Sequence, residues 1–69
     1  MNANLKKEFR VWKIRNDVTE IMIAKETGYT NVLVNKVVNG QIKNVKVVDA
    51  FVKRGCPIEF FGEKYLPNG

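Results

Sequence analysis

The chain has 69 residues, a formal net charge of +5 at pH 7, one cysteine and no histidine. A chain of this length builds one small domain with a single modest core. Because Cys56 is the only cysteine, an internal disulfide and a zinc site of paired cysteines are excluded. The sequence lacks histidine, the residue most often used to bind metals and to transfer protons in catalysis. We therefore expect no metal, no cofactor and no enzymatic activity.

The excess of 12 lysines and arginines over 7 acidic residues favours a polyanionic partner such as nucleic acid. The alternative is a basic domain whose charge serves only solubility. The N-terminal residues contain no apolar run of signal length, and no stretch approaches the roughly 20 apolar residues of a membrane span. We therefore expect an intracellular, reducing compartment and no membrane partner.

The first predicted helix runs from about residue 5 to residue 15, and Asn2 or Asn4 can cap it. Spacings of four and three residues give this helix one apolar face, which we expect to enter the core. That face consists of Leu5, Phe9 and Trp12. Val11 and Ile14 lie off this face, so they are either partly exposed or packed at the helix end.

The second predicted helix covers residues 19–27 and the third covers residues 31–39. Thr19 and Thr30 are suitable capping residues, and Asp17 with Glu20 is an alternative capping box for the second helix. Hydrophobic staples are expected between Val18 and Ile23 and between Tyr29 and Val34. The expected inward side chains are Ile23 and Ala24 from the second helix, and Val34, Val37 and Val38 from the third.

Two glycines mark the ends of these helices. Gly28 stands where the chain must reverse, and a left-handed backbone there is favourable without a Cβ atom. Gly40 is the expected C-terminal cap of the third helix.

A fourth helix is predicted at residues 45–54, capped by Asn44 and ended by Gly55. Its expected inward side chains are Val45, Val48, Phe51 and Val52.

The last predicted helix is short, covers residues 57–61 and begins with Pro57. Residues 62–69 form the predicted tail. Tyr65 and Leu66 in it belong to a final apolar set, and residues 67–69 are expected to be loose.

The stretch from Glu20 to Gly40 has the pattern of a helix-turn-helix. A small residue, Ala24, lies midway in its first helix, and Gly28 follows four residues later. The expected apolar positions are filled by Ile23, Tyr29, Val34 and Val37, and the second helix ends in Asn39-Gly40. With the following segment VVNGQIKNVKVVDAFVKRGCPIEFF, residues 5–61 resemble the phage-repressor and Cro-like (XRE-type) family of DNA-binding proteins.

This resemblance implies an all-α domain of four to five helices, of the lambda-repressor-like type, filling residues 1–69. It also implies a sequence-specific transcriptional regulator, a phage or prophage-type repressor that acts in the cytoplasm of a bacterial host cell. The partner would be double-stranded DNA, bound by a homodimer on two half-sites, with another phage regulator as a further partner.

In this family the third helix enters the major groove. On the third helix Asn31 and Asn35 can each donate and accept, as bidentate recognition of adenine requires. Lys36 can reach guanine or a phosphate, and Val32 can contact a thymine methyl group, although it can also be an incidental surface valine. The predicted base contacts are therefore Asn31, Val32, Asn35 and Lys36.

Phosphate contacts are expected from the helix starts and from the segment after the third helix, where the family meets the DNA backbone. The alternatives are pure capping for the threonines and a solvated surface for the lysines. The predicted phosphate contacts are Thr19, Thr30, Asn39, Lys43, Asn44 and Lys46.

Two residues depart from the family pattern. Thr27 occupies a usually apolar position, which is acceptable if its hydroxyl bonds back to the helix. Glu20 replaces a frequent glutamine and would repel phosphate, so it either pairs with a lysine or accepts from a cytosine amino group.

The aromatic C-terminal segment is a candidate dimer surface, and the alternative is that it closes the core of the monomer. Its residues are Phe60, Phe61, Tyr65 and Leu66. Two other functions use the same fold. One is an antirepressor-like protein-interaction module with an apolar patch of Ile21, Met22, Val32 and Leu33, and the other is a DNA-bending recombination accessory protein.

Overall fold

A computed structural model describes residues 1–62 and residue 65. The chain folds into a small all-α domain of four α-helices and one 3-10 turn, with no strand in the described residues. The elements are α1 (Ala3–Asn16), α2 (Glu20–Thr27), α3 (Asn31–Val38), α4 (Val45–Val52) and the 3-10 turn (Ile58–Phe61). In the described part of the chain, none of the helices has the length and apolar character needed to cross a bilayer.

Each α-helix begins with a side chain that caps it. The capping oxygen accepts a hydrogen bond from the backbone N–H three residues later, which satisfies one of the donors left open at a helix start. These bonds are Asn2 to Leu5 at 2.8 Å, Thr19 to Met22 at 3.2 Å, Thr30 to Leu33 at 3.1 Å and Asn44 to Val47 at 3.2 Å. All of these caps were predicted, and α1 begins two residues earlier than predicted because Asn2 rather than Asn4 caps it.

All four α-helices are followed by a left-handed residue, and after three of them the next backbone N–H turns back to the last open carbonyls. Asp17 has φ 54° after α1, Gly40 has φ 78° after α3, and Gly55 has φ 93° after α4. The N–H groups of Val18, Gln41 and Cys56 then donate to carbonyls five residues earlier, at 3.0, 2.9 and 3.2 Å. Asp17 therefore ends α1 and does not form the alternative capping box with Glu20.

One half of the core is a group of rings, which we call the aromatic cluster: Phe9, Trp12, Phe51, Phe60 and Phe61. The Phe9 ring lies 5.3 Å from that of Phe51 and 5.7 Å from that of Phe61, in edge-to-face arrangements that the ring quadrupoles favour. These contacts join α1, α4 and the 3-10 turn. Trp12 lies at the border of the core, half-buried against Phe51.

The other half, the aliphatic cluster, consists of small buried side chains of α2, α3 and α4. Its members are Ile23, Ala24, Val34, Val37, Val47 and Val48. The predicted inward positions of α2 and α3 are confirmed here, except that Val38 is only half-buried. Gly28, with φ 79°, makes the turn between the two helices as predicted.

The inward face of α4 differs from the prediction. Val45 is 55% exposed, whereas Val47 is fully buried. At 100° per residue the buried stripe is centred on Phe51, and Val45 lies about 120° away from it around the helix. The prediction included Val45 and omitted Val47, whereas Val48 and Phe51 are buried as predicted and Val52 is half-buried.

Three further expectations of the C-terminal half need correction. The helix α4 ends at Val52, two residues earlier than predicted, and the last helix is a single 3-10 turn that Pro57 precedes rather than begins. Phe60 and Phe61 are buried in the chain's own core, so they close the monomer and offer no exposed dimer surface. Leu66 and most of the predicted tail lie outside the described residues.

The turn before α3 also differs from the prediction. Tyr29 is exposed, so it does not form a buried staple with Val34. The predicted last residue of α3, Asn39, follows the helix as its C-cap.

Candidate nucleic-acid interface

The outward face of α3 carries the four side chains predicted to read bases. Asn31, Val32, Asn35 and Lys36 are all exposed, and Val32 is 63% exposed. On the opposite face Val34 and Val37 are buried, which fixes the rotation of the helix. The predicted exposure of these four residues is confirmed.

The polar groups on this face are not used within residues 1–62 and 65. Within the described part of the chain, the side chains of Asn31, Asn35 and Lys36 form no hydrogen bond or ion pair. The caps at both ends of α3 come from its flanking residues, Thr30 before it and Gly40 after it. The two amides and the ammonium group can therefore bind a partner without breaking an internal hydrogen bond.

Thr19 and Thr30 each use a lone pair of the hydroxyl oxygen to cap a helix. A hydroxyl that accepts one hydrogen bond still carries a proton that it can donate, so capping leaves room for a contact to an anion. Both threonines are exposed. They stand one residue before the first turns of α2 and α3, where the helix dipole favours negative charge.

The connection from α3 to α4 contains the other predicted phosphate contacts. Asn39, Lys43 and Lys46 are exposed. Asn44 is half-buried, its side chain caps α4, and its backbone N–H donates to the Tyr65 hydroxyl at 2.9 Å. Asn44 therefore has a structural role first, because it fixes the start of α4 beside two exposed lysines.

Charge is distributed unevenly along the chain. The residues from 27 to 48 contain three lysines and no acidic residue, and they include all of α3. The two acidic residues of α2 are paired internally: Glu20 with Lys13 at 2.8 Å, and Glu26 with Arg54. The positive charge around α3 is therefore not offset by unpaired carboxylates of α2.

The two departures from the family pattern have local explanations. The Thr27 hydroxyl donates to the carbonyl of Ile23 at 2.7 Å, which confirms the predicted bond back to the helix. The ion pair of Glu20 with Lys13 confirms the first of the two roles expected for that carboxylate. Sequence reasoning did not identify Lys13, because it lies seven residues away on α1 and meets Glu20 only in the folded chain.

The apolar residues near this face are partly as predicted. Ile21, Met22 and Val32 are exposed, whereas Leu33 is half-buried against the core and was wrongly predicted to be exposed. Tyr29 adds an exposed ring at the turn, where the sequence had predicted a staple with Val34. Tyr29 fills a position of the helix-turn-helix pattern that is expected to be apolar, so the sequence did not indicate that its ring would be exposed.

Cys56 follows α4 and is 3% exposed. Burial, together with the nearby carboxylate of Glu59, raises the pKa of the Cys56 thiol from 9.0 to about 12. Such a thiol is protonated at neutral pH and is a poor nucleophile. In the described residues, no group of three or more histidine, cysteine, aspartate or glutamate side chains could hold a metal ion.

Comparison of the chain with protein-family models, with curated proteins and with solved structures finds no match.

Proposed function

We propose that this protein is a sequence-specific DNA-binding regulator of the phage-repressor type, in which α2 and α3 form a helix-turn-helix. The observation that carries the proposal is the outward face of α3. It combines exposed amide and ammonium groups, which have no partner among the described residues, with a surrounding stretch of sequence free of acidic residues. A major groove admits one α-helix, and its base edges require such donors and acceptors.

In this proposal α3 lies in the major groove and its exposed side chains read the bases. Asn31 and Asn35 pair with the N6 and N7 atoms of adenine, and Lys36 donates to guanine or to phosphate. Val32 packs against a thymine methyl group, which accounts for an apolar side chain on an otherwise polar face. A repressor acts when such a complex blocks a promoter.

The phosphate contacts come from the sides of α3. Before α3 in the sequence, the contacts come from the hydroxyls of Thr19 and Thr30. After α3, they come from the side chains of Asn39, Lys43 and Lys46. These contacts supply most of the affinity and make it dependent on salt. Because one small domain covers few base pairs, a dimer on two half-sites provides the specificity.

The decisive experiment is a binding selection from a random duplex library at physiological salt. The proposal expects enrichment of one palindromic or near-palindromic sequence. Selection of no sequence motif would contradict the proposal directly.

The enriched duplex then allows a test of α3. The triple variant Asn31→Ala, Asn35→Ala and Lys36→Ala should lose specific binding, while its helical content by circular dichroism stays that of the wild type. The single variant Asn35→Ala should lose about 1–3 kcal/mol of discrimination at one base pair. Lys53→Ala is the matched control, since it removes an exposed lysine at the end of α4 and leaves α3 intact. Unchanged specific binding by the triple variant would exclude this role of α3.

A second candidate function is an antirepressor-like module that binds another regulator. The exposure of Ile21, Met22 and Val32 favours it, because exposed apolar side chains on adjoining helices suit a protein partner. The salt dependence of DNA binding separates the two functions. The DNA-binding proposal expects Lys43→Gln to weaken binding of every sequence and to lower the salt slope by about 1, because the variant neutralises one phosphate fewer. An antirepressor would bind DNA weakly and without sequence preference.

A further inference from the structure

A groove lies between α1 and the segment around the 3-10 turn, away from the proposed DNA-binding face. It has a volume of about 590 Å³. Its apolar lining is formed by Leu5, Val11, Pro57 and Phe60. Two of these side chains belong to α1: Leu5 is half-buried, whereas Val11 is 45% exposed. The groove therefore has an exposed apolar side chain, Val11, in its lining.

The rim of this groove carries charges of both signs. Lys7 and Glu8 lie on α1, and Glu59 lies on the 3-10 turn. All three are exposed, and within the described residues none of them forms an ion pair. An isologous interface brings the same patch of two chains together, so it requires a patch that is complementary to itself in shape and charge. The rim meets the charge requirement, because Lys7 of one chain can face a carboxylate of the other, and the apolar lining allows like surfaces to meet.

We infer that a second copy of this chain docks in the α1 groove, related by a two-fold axis. Val11 of each chain enters the groove of the other, and Lys7 of each chain faces Glu59 of the other. The choice of a second copy rests on the proposed function, which needs two chains on two half-sites, and on the mixed charge of the rim. A uniformly basic or acidic rim would repel its own copy.

The position of the groove agrees with such a dimer. The groove is formed by α1 and the 3-10 turn, whereas α3 packs against α2 and α4. Docking through the groove therefore leaves the outward face of α3 exposed on both chains. It also replaces Phe60 and Phe61 as the dimer surface, since both side chains are buried and, of the two, only Phe60 lines the groove.

Sedimentation equilibrium of the full chain tests this inference. We expect the wild type to be in monomer–dimer equilibrium, with a dissociation constant of the dimer below about 1 mM. Val11→Asp should weaken the dimer at least about tenfold, because it places a charge in the apolar interface. Ile14→Asp is the matched control: it makes the same change on the same helix, at a residue that is 71% exposed and outside the groove, and it should leave the equilibrium unchanged. A wild-type chain that stays monomeric, or equal effects of the two variants, would overturn the inference.

A charge exchange provides a second test on exposed residues that do not support the core. Lys7→Glu and Glu59→Lys should each weaken the dimer, and the double variant should restore it. General repulsion between basic chains makes the opposite prediction for Lys7→Glu, since that change lowers the positive net charge and would strengthen association. A stronger dimer of Lys7→Glu, or no restoration in the double variant, would count against the interface.

These results are separable from the fate of the proposed function. If the groove mediates dimers of a DNA-binding protein, Val11→Asp should bind a single half-site like the wild type and lose cooperative binding to the full site. If the groove variants behave as expected but no sequence is enriched from the library, the interface stands and the proposed function fails. If a sequence is enriched and Val11→Asp binds the full site cooperatively, the function stands and the interface fails.

Discussion

The two halves of the core differ in the size of their side chains and in how far apart these lie in the sequence. The aromatic cluster joins residues far apart in the chain, such as Phe9 and Phe61, through a few large rings. The aliphatic cluster holds α2 and α3 with small side chains close together in sequence, assisted by caps at Thr19 and Thr30. The difference indicates that long-range order depends on the rings, whereas the placement of α3 depends on many small, local contributions.

The largest expected effect is on the aromatic cluster. Phe51 is fully buried and lies within 5.4 Å of the rings of Phe9 and Phe61, measured between centroids. Phe51→Ala should lower the free energy of unfolding by about 3–5 kcal/mol, which is enough to unfold most chains of this size. Val34→Ala, at a fully buried position of the aliphatic cluster, should cost only about 2 kcal/mol. Urea unfolding followed by circular dichroism measures both, and equal losses would remove the distinction between the two halves.

A smaller effect is expected at the cap of α3. Thr30→Ala removes the hydroxyl that accepts from the Leu33 N–H, and should cost about 1 kcal/mol of stability. Thr30→Ser keeps the hydroxyl and serves as the control. Thermal unfolding of the three proteins compares them. If the alanine variant is as stable as the serine variant, the caps contribute nothing to holding α3.

The smallest effect concerns pH and Cys56, whose backbone N–H donates to the carbonyl of Phe51 in the aromatic cluster. Because the pKa of the Cys56 thiol is raised to about 12 in the folded chain, from 9.0, the folded state keeps a proton between these pH values that the unfolded state releases. The contribution to stability is therefore unchanged below pH 9 and falls as the pH rises above it.

Comparison with Cys56→Ala isolates this effect, since all other groups titrate in both proteins. Between pH 8 and pH 9.5 the wild type should lose at most about 0.8 kcal/mol more unfolding free energy than the variant. Urea titrations at the two pH values measure the difference. A variant that loses as much as the wild type would show that the thiol is not shielded in the folded state.

The features that could be predicted from the sequence are those that depend on near neighbours in the chain. A cap joins a side chain to an N–H three residues away, so Asn2, Thr19, Thr30 and Asn44 were recognisable without knowledge of the fold. The outward face of α3 followed from the valine stripe on its other side. The exposure of Asn31, Val32, Asn35 and Lys36 was predictable for that reason.

The features that could not be predicted depend on what a residue meets across the fold. Val45 and Val47 are equally apolar and two positions apart, and only the packing of Phe51 against α1 decides which of them is buried. Phe60 and Phe61 suited a dimer surface or a core equally well until the position of Phe9 was known. The ion pair of Glu20 with Lys13 and the α1 groove likewise arise only when separate helices come together.

The lack of internal contacts on the outward face of α3 has a consequence for how this protein can change over evolutionary time. Substitutions at Asn31, Val32, Asn35 and Lys36 disturb no hydrogen bond, ion pair or buried contact in the described residues. New combinations at these four positions therefore need no compensating change elsewhere in the chain. The fold therefore tolerates many different outward faces of α3, and both natural divergence and laboratory selection can vary this face without first restoring stability.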